Sequence, residues 1–331
     1  MSPQDQPVRL GILGTGRMAR DFAEGLKHAP SIRLQAVASR RQDAADRFAS
    51  DFAVPDATEG LDRMLANPDV ELVYIATPHA MHCDDTLACL EAGKHVLCEK
   101  PFAINAKQAE RMVAAARAHN RFLMEAMWTR YLPAVTRLRE LLDEGVLGRS
   151  RLMVAGGAFM PPFDPDDYLF RPDLGGGVLL DAGVYLVSWA SWLFGQPEQI
   201  MATGRIGDSG VDEHDAVLLE HADGSTAQLY VSLQAKRSPD VMIAGERGSI
   251  HIHPPVFAPR GLTLKLDGAD EQHLDLPFAG NGYQFEAEEA ARCIRQGRTE
   301  SSRMPLDETL QIMRTLDTIR ARIGLRYPME D

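Results

Sequence analysis

Two short segments of this chain hold side chains able to move a proton. One is Glu99-Lys100-Pro101, which ends the apolar run His95–Glu99. The other is Gly175-Gly176-Gly177-Val178-Leu179-Leu180-Asp181-Ala182-Gly183-Val184-Tyr185. Asp181 and Tyr185 stand four apart on an otherwise apolar helical pattern, so both project from one face. A lysine at a strand end is usually a solvated charge, and an acid near a helix start is usually a cap. A third segment supplies the reason to join them. Gly11-Ile12-Leu13-Gly14-Thr15-Gly16-Arg17-Met18-Ala19 contains G-x-G-x-x-A directly after the first apolar run. The first glycine of that pattern allows a tight turn, the second lets the backbone approach a pyrophosphate, and Ala19 is small enough for helix–strand packing. The N–H groups that open the following helix then face the diphosphate. A dinucleotide beside an acid/base group is the equipment for hydride transfer.

The end of the second apolar run bears on which dinucleotide binds. An Asp or Glu there accepts hydrogen bonds from a ribose 2′-OH and favours NAD. This chain has Ser39-Arg40-Arg41 instead, a hydroxyl and two cations suited to a 2′-phosphate, so NADP is expected over NAD. The expected nucleotide contacts are therefore Gly14, Thr15, Gly16, Arg17, Met18, Ser39, Arg40 and Arg41, closed by Glu99 and Lys100 at a later strand end.

Elements that would position these groups are legible in the apolar pattern. Val8–Leu13, Arg33–Ser39, Glu71–Thr77, His95–Glu99 and Arg121–Met127 read as strands. The stretches Met18–His28, Gln42–Phe52, His82–Ala92 and Ala106–His119 read as helices between them. Such alternation predicts a parallel, doubly wound α/β sheet of Rossmann type. After Met127 the pattern changes. A helix near 133–144, a strand near 151–159, a Pro/Asp-rich loop and a helix near 178–194 precede a run of strands. Those strands (199–205, 215–221, 226–233, 241–244, 250–253 and 262–266) suggest an α+β domain with a large, mostly antiparallel open sheet. Two helices, near 283–295 and 306–323, close the chain. The expected domains are residues 1–127 for the dinucleotide and 128–331 for substrate and oligomerisation.

Totals narrow the function classes. The chain has 331 residues, 45% hydrophobic and 25% charged, which suits two globular domains. A net charge of −12 argues against DNA or anionic membranes as partners. No apolar stretch is expected to reach the ~20 residues that span a bilayer, and the N-terminus lacks a signal-peptide pattern. The four cysteines (Cys83, Cys89, Cys98, Cys293) show no CxxC spacing, so buried thiols and a cytoplasmic location are expected. His79, His82 and Cys83 cluster without a second ligand group, so no metal is expected.

The segments Thr77-Pro78…His82, Ala92-Gly93-Lys94-His95-Val96-Leu97-Cys98-Glu99-Lys100-Pro101 and Gly175–Tyr185 resemble the Gfo/Idh/MocA oxidoreductase family over nearly the whole chain. Most of that family has histidine where Tyr185 stands. The tyrosine, with Met124–Tyr131, resembles a branch of NADP-dependent sugar and dihydrodiol dehydrogenases. The resemblance implies a catalytic trio of Lys100, Asp181 and Tyr185, and a Thr77–His82 loop that lines the nicotinamide through Thr77, Pro78 and His82. A free phenol titrates near ~10 and is a poor base at neutral pH, whereas a nearby ammonium favours phenolate. Tyr185 is therefore expected as general acid/base, Lys100 as its activator and Asp181 as orienter; Lys100 as the base is the competing assignment.

The expected substrate wall is aromatic. Trp128, Arg130, Phe159 and Tyr185 are its leading members, with Tyr131, Phe163, Tyr168 and Phe170 nearby and at least half of the rings serving ordinary packing. No second anion cradle appears, so a neutral polyol, either an aldopyranose at C1 or a cyclic diol, is expected. An open apolar sheet face, like the resemblance, implies a homodimer or tetramer. Two rival readings are a sugar–sugar oxidoreductase that retains its cofactor and a non-catalytic NADP sensor. Barely seven residues precede the first strand, which argues against the cofactor-locking arm of some retained-cofactor relatives.

Overall fold

Short strands, most of them apolar runs followed by a helix, build the first sheet. In the computed structural model, which describes residues 6–330, the order is β1 (Val8–Leu13), α1 (Arg17–Gly25), β2 (Ile32–Ser39), α2 (Gln42–Phe52), β3 (Asp56–Glu59) and α3 (Leu61–Leu65). It continues with β4 (Leu72–Ile75), α4 (His82–Glu91), β5 (His95–Glu99), α5 (Ala106–Ala118) and β6 (Leu123–Ala126). The strands lie in the order β3-β2-β1-β4-β5-β6 and every neighbouring pair is parallel. The order reverses between β1 and β4. In a doubly wound sheet ligands sit at such a switch point, beyond the carboxyl ends of the strands. β3 has no apolar run to announce it; as an edge strand it needs only one partner, and it pairs with Ala36–Ser39 of β2.

The second sheet follows α6 (Pro133–Asp143). Its strands are β7 (Ser150–Ala158), then, after α7 (Val184–Phe194), β8 (Pro197–Ile206), β9 (Asp212–His221), β10 (Thr226–Ser232), β11 (Arg237–Gly245), β12 (Gly248–Ile252), β13 (Gly261–Leu266) and β14 (Gln272–Asp275). Two helices, α8 (Tyr283–Arg295) and α9 (Leu306–Ile323), come last. The sheet order is β14-β13-β12-β11-β7-β10-β9-β8, antiparallel throughout except for the β7–β10 pair. α7 and the turns before it pack on β7 and β10, so one face is covered. The other face presents the row Met201, Leu218, Gln228, Val154, Met242 and His251, one residue per strand. Met201 is 49% and Met242 45% exposed, so this face is open and partly apolar.

Two compact units divide the chain, and the division is not a single cut. One unit is Met1–Trp128 with Ala279–Thr309; the other is Thr129–Phe278 with Leu310–Asp331. The expected second domain, 128–331, thus gives up a segment that includes α8. The reason is packing. α8 buries a face of small residues, Ala287, Ala290, Ala291 and Cys293, against β1, β2 and α1. Arg295 donates to Glu71 at 2.9 Å, and Glu288 accepts from the Ser31 N–H at 2.8 Å.

The expectation that no stretch is long and apolar enough to cross a membrane needs correction. Pro172–Phe194 passes that test by length and composition. Here Leu179, Leu180, Val184, Leu186 and Val187 are all buried, so the run serves as the core helix of the second unit.

Candidate active site

The first βα turn has the geometry its sequence requires. Gly14 leaves β1 with φ +105°, and a Cβ there would lie 2.7 Å from the Ala76 carbonyl oxygen, so only glycine fits. Gly16 caps α1 without a side chain, nothing lies near its Cα hydrogen, and no acid occupies the first turn. The unsatisfied N–H groups of that helix start are left for an anion. Ala19 is fully buried, as the close helix–strand approach demands, while Arg17 is exposed and Met18 half-buried. A nucleotide diphosphate fits this cradle.

At the end of β2, the Thr15 and Ser39 hydroxyls lie 3.3 Å apart, which joins the glycine turn to the Ser39-Arg40-Arg41 segment. Arg40 and Arg41 are both exposed; Arg41 pairs with Asp43 at 3.1 Å. No carboxylate occupies the end of the strand itself.

The Thr77 loop and the Lys100 segment are tied together by one histidine. His82 is fully buried, and its two ring nitrogens lie 2.9 Å from the carbonyl oxygens of Thr77 and Pro101. Burial pushes its pKa down. The Thr77 hydroxyl donates to Asp85 at 2.7 Å, and Pro78 caps the turn that leads into α4. The Lys100–Pro101 bond is cis. His82 therefore holds two strand-end loops in register, and no group of three or more metal-ligating residues occurs among the described residues.

Lys100 is buried above an acidic cluster that the residue pattern did not announce. The Glu99 carboxylate accepts from the Lys100 N–H at 3.1 Å and from the Tyr74 phenol. Tyr74 stacks on Phe22 with ring centres 3.7 Å apart. Glu286, from α8, is fully buried with both oxygens lacking a hydrogen-bond partner. Burial, and then the charge of Glu99, hold its pKa well above the usual carboxylate range. No sequence signal reaches from residue 99 to residue 286; only the return of α8 to the first sheet brings them together. Trp128 stacks on Tyr283 of the same helix at 4.3 Å.

The second unit carries the remaining predicted residues. Leu179–Gly183 forms a wide π-helical turn that runs into α7, where a plain α-helix is expected. Such turns often accompany functional sites. Asp181 is half-buried and accepts from the Tyr168 phenol at 2.9 Å. Tyr185 is buried, with its ring 6.2 Å from that of Phe257. Arg130 is also buried and donates to the hydroxyl and the carbonyl of Ser188 at 3.0 and 2.9 Å, which anchors α7. Of the expected aromatic wall, Trp128, Tyr131 and Phe170 are buried, while Phe159 and Phe163 are 38% and 65% exposed. Arg171 pairs with Asp173. All four cysteines are free thiols and buried.

These two folds and their residue sets define a nucleotide-dependent oxidoreductase, and the comparisons agree. Residues 8–127 match the oxidoreductase family with an NAD-binding Rossmann fold, and residues 135–251 match the GFO/IDH/MocA C-terminal domain. The chain belongs to the Gfo/Idh/MocA oxidoreductase family. It is 36% identical to trans-1,2-dihydrobenzene-1,2-diol dehydrogenase of Mus musculus over 98% of this chain and 99% of that one. The Homo sapiens protein of the same name is 34% identical with the same coverage. A 3-ketoreductase from Actinomadura kijaniata, solved with NADP and TDP-benzene, superimposes with a TM-score of 0.86 at 29% identity, covering 96% of this chain and 98% of that one. An aldose-aldose oxidoreductase from Caulobacter crescentus gives a TM-score of 0.88 at 26% identity with the same coverage.

Glu286 generates a prediction. A carboxyl whose folded pKa is raised binds a proton that the unfolded chain releases, so its contribution to stability falls as pH rises above the ordinary carboxyl range. Glu286→Gln removes that dependence. It should raise the unfolding free energy from urea denaturation at pH 8 by more than at pH 6, the gap growing by up to about 1.4 kcal/mol per pH unit. An equal effect at both pH values would show that Glu286 is charged in the fold.

Proposed function

We propose that this protein is an NADP-dependent dehydrogenase that acts on a neutral polyol, either an aldopyranose at C1 or a cyclic diol. The observation that carries this reading is the end-to-end likeness to trans-1,2-dihydrobenzene-1,2-diol dehydrogenases. NADP is favoured over NAD by the absence of a carboxylate at the end of β2 and by the Ser39-Arg40-Arg41 run there. The NADP-bound ketoreductase of similar fold supports the same choice. The start of α1 and Gly14–Met18 hold the diphosphate, and the Thr77–His82 loop lines the nicotinamide. When bound, the cofactor accepts or supplies a hydride.

The chain's own part is proton transfer and orientation. Tyr185 acts as general acid/base toward the substrate hydroxyl, Lys100 stabilises its ionised form, and Asp181, held by Tyr168, orients them. Glu99 acts at one remove: its carboxylate accepts the Lys100 N–H and so fixes where the lysine begins. Phe159, exposed beside the Pro/Asp-rich loop, offers an aromatic face to a ring substrate. The open face of the second sheet, with Met201 and Met242 projecting, supports a homodimer formed through that face. One rival keeps specific support. The similar fold of an aldose-aldose oxidoreductase favours a sugar–sugar enzyme that retains its cofactor, and such an enzyme would turn over two sugars without added NADP.

Three measurements check these readings. Absorbance assays of NADP⁺ reduction with aldoses, cyclitols and dihydrodiols should find one active class, and Tyr185→Phe should then lose about 10²–10⁴-fold in kcat. Near-normal turnover of that variant would remove the tyrosine from the chemistry. Ser39→Asp combined with Arg40→Ala should shift the preference from NADP toward NAD at least tenfold in kcat/KM; an unchanged ratio would contradict the assignment. Light scattering should give twice the chain mass for the wild type and a lower mass for Met242→Glu, whereas a wild-type monomer would contradict the dimer.

A further inference from the structure

Beneath the helix that carries Asp181 and Tyr185 lie two carboxyl groups that the proposed chemistry does not use. Asp212 and Asp215 belong to β9 and both are fully buried. Residues three apart on a regular strand point to opposite faces. Here the register against β8 slips, with His214 opposite Arg205 but Asp212 opposite Ile206. One extra residue, Glu213, is thus accommodated as a bulge, and Asp212 turns to the same side as Asp215.

Space has been left for both groups. A Cβ on Gly177, whose φ is +108°, would lie 1.9 Å from Asp212 Oδ1, and one on Gly204 would lie 2.2 Å from Asp215 Oδ1. Asp212 Oδ2 accepts from the Leu179 N–H at 2.6 Å, at the first residue of the wide turn that holds Asp181. The Val178 and Asp212 N–H groups also face the Asp212 carboxylate, neither Asp215 oxygen has a protein donor, and the two carboxyl groups lie within hydrogen-bonding reach of each other. Two ionised carboxylates in that position are untenable. One proton between them satisfies the arrangement: the N–H groups favour the charge on Asp212, and Asp215 supplies the hydroxyl. Burial, and then the neighbouring Asp212, push the Asp215 carboxyl up to about 9, in keeping with that assignment. Tyr327 closes the same corner, donating to the Gly176 carbonyl at 2.6 Å.

We propose that Asp212, hydrogen-bonded by Asp215, is a positioning residue for the reaction: it caps the helix start at Leu179 and so fixes where Asp181 and Tyr185 stand. The inference rests on the dehydrogenase reading for its effect on turnover, but not for its effect on the helix. A bulge, two glycines and an anionic cap converge on one helix start, which is more than a surface cap requires. A buried carboxyl pair costs stability that apolar residues of similar size would recover. That cost is the mark of a group kept for placement.

The decisive variant is Asp212→Leu combined with Asp215→Leu, which removes the cap without stranding a buried charge. It should fold, with a thermal midpoint equal to or above wild type. Hydrogen exchange should nevertheless accelerate at least tenfold in the peptide covering 178–190, and not in the strands of the second sheet. With the active substrate class, kcat should fall about 10²-fold, the scale of a misplaced reacting group, while the dissociation constant for NADPH is unchanged. Asp215→Asn, which keeps a donor to Asp212, should retain kcat within about threefold. A folded double variant with wild-type exchange in 178–190 would overturn the proposal. Should the double variant fail to fold, Asp215→Asn and Asp215→Leu decide it: equal exchange in that peptide for both would also overturn it. If no substrate is found, the exchange result still stands alone, so failure of the dehydrogenase reading and failure of this inference remain distinguishable.

Discussion

The start of α1 sets the terms for the first unit. A helix leaves its first N–H groups without internal partners, and in water or against an anion those groups are satisfied at no further cost. This one begins at a bare glycine, one residue after Thr15 and two after a glycine whose Cβ would strike the Ala76 carbonyl. The turn is therefore as tight as a backbone allows, and it sits where the strand order reverses. Ala19 must be small, Ser39 must reach Thr15, and the Thr77 loop must end β4 next to it, because each borders the same cradle. His82 and the Glu99 carboxylate extend that order to Lys100 by bonds to backbone atoms.

The second unit solves a different problem. α7 is almost wholly apolar, and burying it on the sheet is favourable but directionless. Polar anchors supply the direction. Arg130 holds Ser188, Asp212 holds Leu179, Tyr327 holds Gly176 and Tyr168 holds Asp181. Each anchor comes from a different part of the chain, so the helix is fixed in register as well as buried. The proposed role of Tyr185, which needs placement to within a fraction of an ångström, asks for that kind of fixation.

Much of this was legible in the residues. The β1 turn, the strand ends and the switch from a parallel to a mostly antiparallel sheet follow from local pattern, because period and glycine spacing are local properties. The family resemblance, carried by the AGKHVLCEKP run, matches the whole-chain comparisons. What stayed hidden was long-range. α8 looks like any amphipathic helix, and nothing near it says that its alanine face belongs to the first sheet. Arg130, expected in the substrate wall, instead gives its guanidinium to Ser188 of α7, a partner 58 residues away. The strand expected over 215–221 begins three residues earlier, at Asp212, since a bulge has no signature in Asp-Glu-His-Asp. Nothing in the sequence marks Glu286 off from other helix acids, yet it is fully buried, within the influence of the Glu99 charge and without a hydrogen-bond partner.

Hydride transfer is the claim on which the functional account stands, and isotope tracing tests it most directly. A polyol substrate deuterated at the carbon that is oxidised would be incubated with the protein and NADP⁺, and the recovered nucleotide weighed by mass spectrometry. Hydride transfer makes the recovered NADPH one mass unit heavy, in amounts equal to the oxidised product. Oxidised product with unlabelled NADPH, or NADP that binds tightly and is never reduced by any aldose, cyclitol or dihydrodiol, would contradict it.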